Sequence, residues 1–127
     1  MSDTPYVEVE QRARYLLVTY HGRFTRQAAE AAVATVGETI WVEGTLWNLL
    51  TDFSAADFAD EAVFSVMLEA MTANEPFVKR SAIVTAHGAK SFVVEAAMTQ
   101  SGRERFRLFD HLEDAIAWLT DQTPPED

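Results

Sequence analysis

Leu46-Trp-Asn-Leu-Leu-Thr-Asp52 and Asp57-Phe-Ala-Asp-Glu-Ala-Val-Phe-Ser-Val-Met-Leu-Glu-Ala-Met71 follow each other closely in the middle of the chain. The first stretch is mostly apolar and ends in an acidic residue, which is typical of a buried strand. The second is long and apolar enough for a helix, and the intervening Ser54-Ala-Ala-Asp57 leads into it. A strand followed by a helix is the repeating unit of an α/β fold. These residues therefore predict the fold class.

The predicted helix carries more apolar surface than one side of a sheet can cover. At about 100° per residue, its apolar side chains spread over roughly 240° of the circumference. A helix that lies on a sheet needs a stripe only somewhat wider than about 100°. The surplus predicts a second contact, with another layer of the fold, a partner subunit or an apolar ligand. The candidate binding residues are Phe58, Val63, Phe64, Val66, Met67 and Met71, with Trp41 and Trp47 on or beside a nearby loop as walls.

Two orientations of this helix remain open. If Phe64 and Leu68 form the core contact, then Val63, Val66 and Ala70 face outward; the reverse arrangement fits the sequence equally well. In the structural alternative, the helix is buried on two sides inside its own fold and binds nothing.

Outward from this unit, strand and helix patterns alternate along the chain. Two β-rich runs that open the chain predict a hairpin, and the remaining strands alternate with helices, which predicts parallel crossovers. The expected architecture is an α/β sheet of four to five strands, mixed in direction, with about four helices packed against it. The predicted elements are strands at 7–10, 15–20, 46–52, 81–86 and 103–109, helices at 25–36, 57–74, 90–100 and 115–119, and a polar tail at 122–127 that we expect to be disordered.

Composition and charge narrow the class of function. The 127 residues are expected to form one domain, and the net charge of −10 opposes binding to nucleic acid. The chain has no cysteine, which excludes disulfides and thiolate metal sites. Its first residues lack the pattern of a signal peptide, and no apolar run approaches the ~18 residues of a membrane span. We expect a cytoplasmic protein without an integral membrane segment.

The order of elements, together with Leu49-Leu-Thr-Asp-Phe53 and Phe109-Asp-His-Leu-Glu-Asp-Ala-Ile-Ala-Trp-Leu119, resembles the SpoIIAA-like family of bacterial STAS and Sec14-like domains. The second segment contains a capping box, Asp110 to Glu113, ahead of the last helix. The resemblance covers about 7–119 and implies a mixed sheet with helices against it, no catalytic machinery and no cofactor. It also implies that some members bind apolar molecules through the helix after the central strand.

STAS regulators carry a phosphorylated serine after an aspartate, at the start of that same helix. In this chain Asp60 falls on the aspartate and Glu61 on the phosphoacceptor. A carboxylate cannot accept a phosphoryl group as a hydroxyl does, so we expect the phosphorylation switch to be absent.

An enzyme is the alternative from a different class. Asp52, Asp57 and His87 flank strand ends, where open α/β sheets place ligands, and paired carboxylates there can act as acid and base. The simpler interpretation makes Asp57 a helix N-cap and Asp52 a turn residue. The three histidines show no metal-ligand spacing, so no metal is expected. The sequence thus favours a non-catalytic binding or regulatory module that buries an apolar partner, either a second subunit in a homodimer or a lipid-like molecule.

Overall fold

The computed structural model describes residues 4–58, 61–85 and 106–120. They form one five-stranded sheet in which the strands follow their order in the chain. β1 and β2 are an antiparallel hairpin, whereas β2, β3, β4 and β5 are parallel to one another. The mixed sheet predicted from the sequence is therefore confirmed. The strands are β1 (Tyr6–Gln11), β2 (Leu16–Phe24), β3 (Trp47–Phe58), β4 (Val78–Val84) and β5 (Phe106–Phe109).

Three α-helices lie within the described ranges: α1 (Arg26–Ile40), α2 (Glu61–Asn74) and α3 (Leu112–Leu119). A short 3-10 turn (Glu75–Phe77) connects α2 to β4. The predicted helix at 90–100 and the predicted tail at 122–127 lie outside the described residues. The N-cap of α3 is His111, whose side chain makes no capping hydrogen bond, so the predicted capping box from Asp110 is wrong by one residue.

The sheet is covered on both faces. α1 and α2 pack against each other and over β1, β2 and β3, while α3 packs over β3, β4 and β5. The side chains of β3 alternate between two cores. Leu49 and Phe53 face α1 and α2 in the first core, and Leu50 faces α3 in the second core. A central strand buried on both faces explains the continuous apolar run from which it was predicted.

The last strand alternates as its sequence predicts. Phe106 and Leu108 pack against the first core, and Arg107 lies on the opposite side, with its guanidinium 5.4 Å from the centre of the Trp118 ring. Arg80 approaches the same ring at 5.2 Å and donates a hydrogen bond of 2.9 Å to the Trp118 carbonyl. These cation–π contacts close the edge of the second core.

β3 continues well beyond its predicted end, which corrects two expectations. Asp52 pairs with Thr19 and Ala55 pairs with His21, so β3 holds one extra residue in a bulge. Asp52 accepts hydrogen bonds there from the N–H (2.9 Å) and the hydroxyl (2.7 Å) of Ser54. Beyond the bulge, β2 and β3 stay paired up to Phe24 and Phe58, the last residue of each strand. Gly22 of β2 has φ 95°, which lets β2 follow the bend in β3.

The region predicted as the beginning of the helix is thus strand. Asp57 lies in β3 and is exposed, so it is not an N-cap, and Phe58 is the last residue of β3 rather than part of α2. The strand propensity of 54–58 is modest, and the tertiary pairing with β2 decides the outcome. α2 begins at Glu61.

α2 adopts the second of the two orientations that the sequence left open. Val63 is completely buried, and Val66 and Met67 are buried with it in the core beneath the helix. Phe64 and Leu68 are only half-buried. Because α2 also packs against α1, its own fold covers more of the apolar arc than a sheet alone would.

Replacing Val63 by Glu should unfold the protein. An unpaired carboxylate in a site without solvent costs several kcal/mol, a large part of the ~5–15 kcal/mol that stabilises a domain. The matched control is Ser65→Glu, two residues further along the same helix at an exposed position. Urea unfolding followed by circular dichroism should show a native Ser65→Glu variant and an unfolded Val63→Glu variant. Equal stability of the two would contradict this orientation of α2.

Candidate functional site

A groove runs along the outer side of the first helical layer, between α1 and α2. Its volume is about 550 Å³, and it is open to solvent along its length. Both helices follow a parallel strand and precede the next one, so they run in the same direction. The walls are Arg26, Glu30, Val33, Ala34 and Trp41 from α1 and its end, and Ala62, Ser65, Val66, Glu69, Ala70 and Ala73 from α2.

The groove exists because four of its eleven lining residues are alanines. Ala34, Ala62, Ala70 and Ala73 have side chains too short to fill the space between the helix axes, so Val33 and Val66 form an apolar floor. Longer side chains at these positions would interdigitate and close the surface, as ridges fill grooves between packed helices. An apolar concave surface therefore remains open.

Trp41 closes one end of the groove and joins the two helices. Its indole N–H donates a hydrogen bond of 2.7 Å to the side-chain oxygen of Asn74, the last residue of α2. Its ring lies over Gly37, where an added Cβ would stand 2.8 Å from the ring. The sequence predicted that this helix ends at residue 36, but α1 continues through Gly37 to Ile40. The glycine is needed because the ring occupies the space of a side chain.

Charged groups lie on the rim of the groove. Arg26 and Glu30 form an exposed ion pair of 3.1 Å, one turn apart on α1. Such a pair contributes only a few tenths of a kcal/mol. Glu69 is exposed on the α2 side. The site is thus an apolar floor with a polar rim, the usual anatomy of a protein-binding surface.

The predicted binding residues do not form a single site in the structure. Trp41 and Val66 line the groove together, while Val63 and Met67 lie in the core and Met71 packs against it. Phe64 is half-buried outside the groove lining, and Phe58 belongs to β3. Trp47 donates a 3.0 Å hydrogen bond to the Ile40 carbonyl and faces a separate cleft. The binding role of each of these side chains stays a prediction.

The α1 side of the groove was missed by sequence reasoning. Arg26, Glu30, Val33 and Ala34 belong to a helix whose small residues were taken to allow close packing on the sheet. The available signal was the recurrence of alanine in both helices, because two alanine-rich faces brought together leave a gap. That signal is visible only when the helices are known to be neighbours.

The residues of the enzyme alternative are not brought together. Asp52 is bound to Ser54 at the bulge, and Asp57 lies five residues further along an extended strand, about 16 Å away. His87 lies outside the described residues. Across the ranges that the structure describes, no group of three residues could hold a metal ion. His21 instead lies 3.1 Å from Glu8 and stacks on Tyr6 at 4.4 Å.

A small cavity of about 40 Å³ lies beneath α2, between the helix and the sheet. Its polar lining consists of Tyr20, Thr51, Asn74 and Ser81, without a carboxylate or histidine among the described residues. The Ser81 hydroxyl is buried without a hydrogen-bond partner in the described part of the chain, and the space suffices for a water molecule. Burial raises the pKa of Tyr20 above its usual range, so the phenol stays protonated at neutral pH. Neither group provides an acid–base pair.

Comparison with solved structures places this chain among proteins with a SpoIIAA-like fold. An uncharacterised protein of the DUF3478 family from Shewanella loihica PV-4, described as having that fold, superimposes with a TM-score of 0.70 at 19% identity, over 94% of this chain and 98% of the other. An anti-sigma factor antagonist from Mycobacterium paratuberculosis gives 0.64 at 18% identity, over 95% and 98%. The anti-sigma factor antagonist SpoIIAA in its unphosphorylated form gives 0.61 at 18% identity, over 89% and 95%.

These likenesses establish the fold and confirm the resemblance seen in the sequence. No family model matches the chain, and no curated protein matches it either. None of the described helices is long and apolar enough to cross a membrane.

The phosphorylation switch should be absent from the wild-type chain. Glu61 is the first residue of α2, where the resemblance places the phosphoacceptor. The nearest hydroxyls are Ser54, which donates to Asp52, and Ser65, which is exposed on α2. Incubation with ATP and a kinase that phosphorylates STAS regulators, followed by intact mass spectrometry, should reveal no added phosphate. The variant Glu61→Ser, which restores the hydroxyl, serves as the positive control, and stoichiometric modification of Ser54 or Ser65 would contradict the prediction.

Gly37→Ala should destabilise the protein, although the same change inside a helix normally stabilises by about 1 kcal/mol. The new methyl group must displace the Trp41 ring from Asn74, whose buried amide then loses its partner at a cost of about 1–3 kcal/mol. In a Trp41→Ala background the ring is gone, and Gly37→Ala should stabilise. Urea unfolding of the four proteins measures this coupling. Equal effects of Gly37→Ala in both backgrounds would show that the ring is not held over Gly37.

Proposed function

We propose that this protein is a non-catalytic, regulatory binding module that buries an apolar partner surface in the groove between α1 and α2, and that the partner is a second copy of the chain. The observation that carries the proposal is the groove itself, an open apolar floor walled by two helices. An apolar concave floor inside a polar rim is the usual arrangement of a protein-binding surface.

The shape of the site suits a helix as its occupant. α1 and α2 span 15 and 14 residues, which gives a face about 20 Å long. The small side chains of Ala34 and Ala70 allow a helix backbone to approach closely. A helix laid into a groove between two others is a common mode of recognition between proteins. A second copy offers such a helix from the same layer.

The charges on the rim favour a two-fold arrangement. Arg26 is the first residue of α1, whereas Glu69 lies in the second half of α2, so the two charges stand toward opposite ends of the groove. A second copy turned by 180° would bring each Arg26 toward the Glu69 of the other copy. Self-complementary surfaces of this type produce closed dimers, the commonest oligomers.

The regulatory part of the proposal is supported by the solved structures with the same fold. Two of them are anti-sigma factor antagonists, proteins named for acting on another protein rather than on a small substrate. The separation of Asp52 from Asp57 supports the absence of catalysis, because the candidate acid–base pair is not assembled.

A lipid-like ligand is the second candidate for the groove. Its volume falls within the roughly 300–1,000 Å³ of small-molecule sites. The open side of the groove argues for the protein partner, since ligand pockets bury most of the surface of their ligand. A native mass spectrum distinguishes the two by the mass of a dimer or of a bound lipid.

Ala34→Glu should separate the subunits without unfolding them. Ala34 is exposed and lines the groove, so a carboxylate there would be buried without a partner at the interface. Ala31→Glu introduces the same charge one turn earlier, at an exposed α1 position outside the groove, and is the matched control. Light scattering at tens of micromolar should give a dimer for the wild type and for Ala31→Glu.

The Ala34→Glu variant should give a monomer with an unchanged circular dichroism spectrum. A monomeric wild type free of lipid would refute burial of an apolar partner. A dimer that survives Ala34→Glu would place the interface elsewhere.

A further inference from the structure

A second concave surface lies at the edge of the sheet where the parallel strands have their amino ends. It is formed where β2, β3 and β4 begin, by residues 11–15 of the hairpin turn, 42 and 45–48 of the loop after α1, and Lys79. Its volume is about 500 Å³. We call it the basal cleft. It shares no lining residue with the groove between α1 and α2, so the two surfaces can be tested independently of each other.

Loop 41–46, beside the basal cleft, exposes several large apolar side chains to solvent. Trp41, Val42 and Leu46 are 51%, 46% and 64% exposed, and they are three of the five large apolar side chains exposed in the described part of the chain. The loop is nevertheless ordered by its own hydrogen bonds, from the Val42 N–H to Ile40 (2.7 Å) and from the Thr45 N–H to Val42 (3.1 Å). Gly44 supplies the left-handed turn at φ 85°. Apolar side chains are thus held in water by a defined backbone.

The charge of the basal cleft is opposite to that of the protein. The chain carries 20 acidic and 10 basic side chains. The cleft is nevertheless lined by Arg12, Arg14 and Lys79, with no acidic residue among its described lining. Arg12 is neutralised by Glu10 at 2.8 Å, whereas Arg14 and Lys79 form no ion pair within the described ranges. Two uncompensated cations therefore border an exposed apolar loop.

We infer that the basal cleft docks an acidic, amphipathic segment of a partner protein. Apolar side chains of the segment cover Leu46 and Trp47, and its carboxylates pair with Arg14 and Lys79. An anionic membrane is a plane of charge that faces much of the acidic protein, which repels it, whereas a short segment meets mainly the cations of the cleft within a Debye length of about 8–10 Å. A two-fold contact between two basal clefts would bring like charges together, which excludes that mode of self-association.

The test uses the full chain and short fluorescein-labelled peptides in which Leu and Phe alternate with Asp and Glu. A second set carries Lys in place of every acidic residue. Fluorescence anisotropy should detect binding of the acidic set alone, with an affinity that falls as salt is raised. The double variant Arg14→Glu, Lys79→Glu should weaken binding by about tenfold or more, and Leu46→Ser should weaken it as well.

The matched control is Arg23→Glu, Gln27→Glu, Ala31→Glu, which makes the same change in net charge at three exposed positions outside both the basal cleft and the groove. Its affinity for the acidic peptides should stay within about twofold of the wild type, allowing for the long-range field. All variants should keep the wild-type circular dichroism spectrum.

Three results would overturn the inference. Acidic and Lys peptides could bind equally, the control variant could weaken binding as much as the cleft variant, or the acidic peptides could fail to bind. Vesicles of anionic lipid provide the comparison surface. If they bind through Arg14 and Lys79 while the acidic peptides do not, the occupant is a membrane and not a protein.

Discussion

The long parallel pairing of β2 with β3 is the constraint on which the other elements depend. One extra residue in β3, held by the hydrogen bonds between Asp52 and Ser54, shifts the register and lets pairing continue to the end of both strands. The strand consequently uses residues that would otherwise open the next helix. α2 begins only at Glu61, and this starting point determines which of its side chains face the sheet.

The position of α2 then explains its apolar character. Val63, Val66 and Met67 face the core, and the burial of each such side chain contributes about 1.5–3 kcal/mol. The flank toward α1 is apolar as well, because it meets a second helix rather than water. Its alanines are too small to complete that contact, so the two helices leave an open groove. Much of the apolar surplus thus belongs to the fold, and the remainder is the candidate interface.

The two concave surfaces differ in the chemistry that they offer. The groove combines an apolar floor with both signs of charge on its rim, which suits a copy of the same surface. The basal cleft combines exposed apolar side chains with two cations that form no ion pair within the described ranges, and this chemistry is the basis for proposing an acidic partner. Loop 41–46 separates the two surfaces. The sequence predicted that Trp41 and Trp47 line the same surface, but Trp41 borders the groove and Trp47 borders the basal cleft. The functions proposed for the two surfaces would both join this domain to other proteins.

The sequence by itself determined the order of the described strands and helices, the hairpin and the parallel sheet, because periodicity and glycine or proline positions are local signals. Its resemblance to the SpoIIAA-like family implied the fold that the solved structures confirm. The sequence also singled out Trp41 and Val66, which the structure places in one groove. Only the tertiary structure decided that Asp57 and Phe58 belong to β3, since pairing with β2 outweighs local propensity. Likewise, the low helix propensity of glycine predicts a helix end at Gly37, yet α1 continues through it. A glycine is needed at this position because the Trp41 ring occupies the space that a side chain would take. A groove between two helices and a cleft between two loops depend on which segments become neighbours, and no local pattern contains that information.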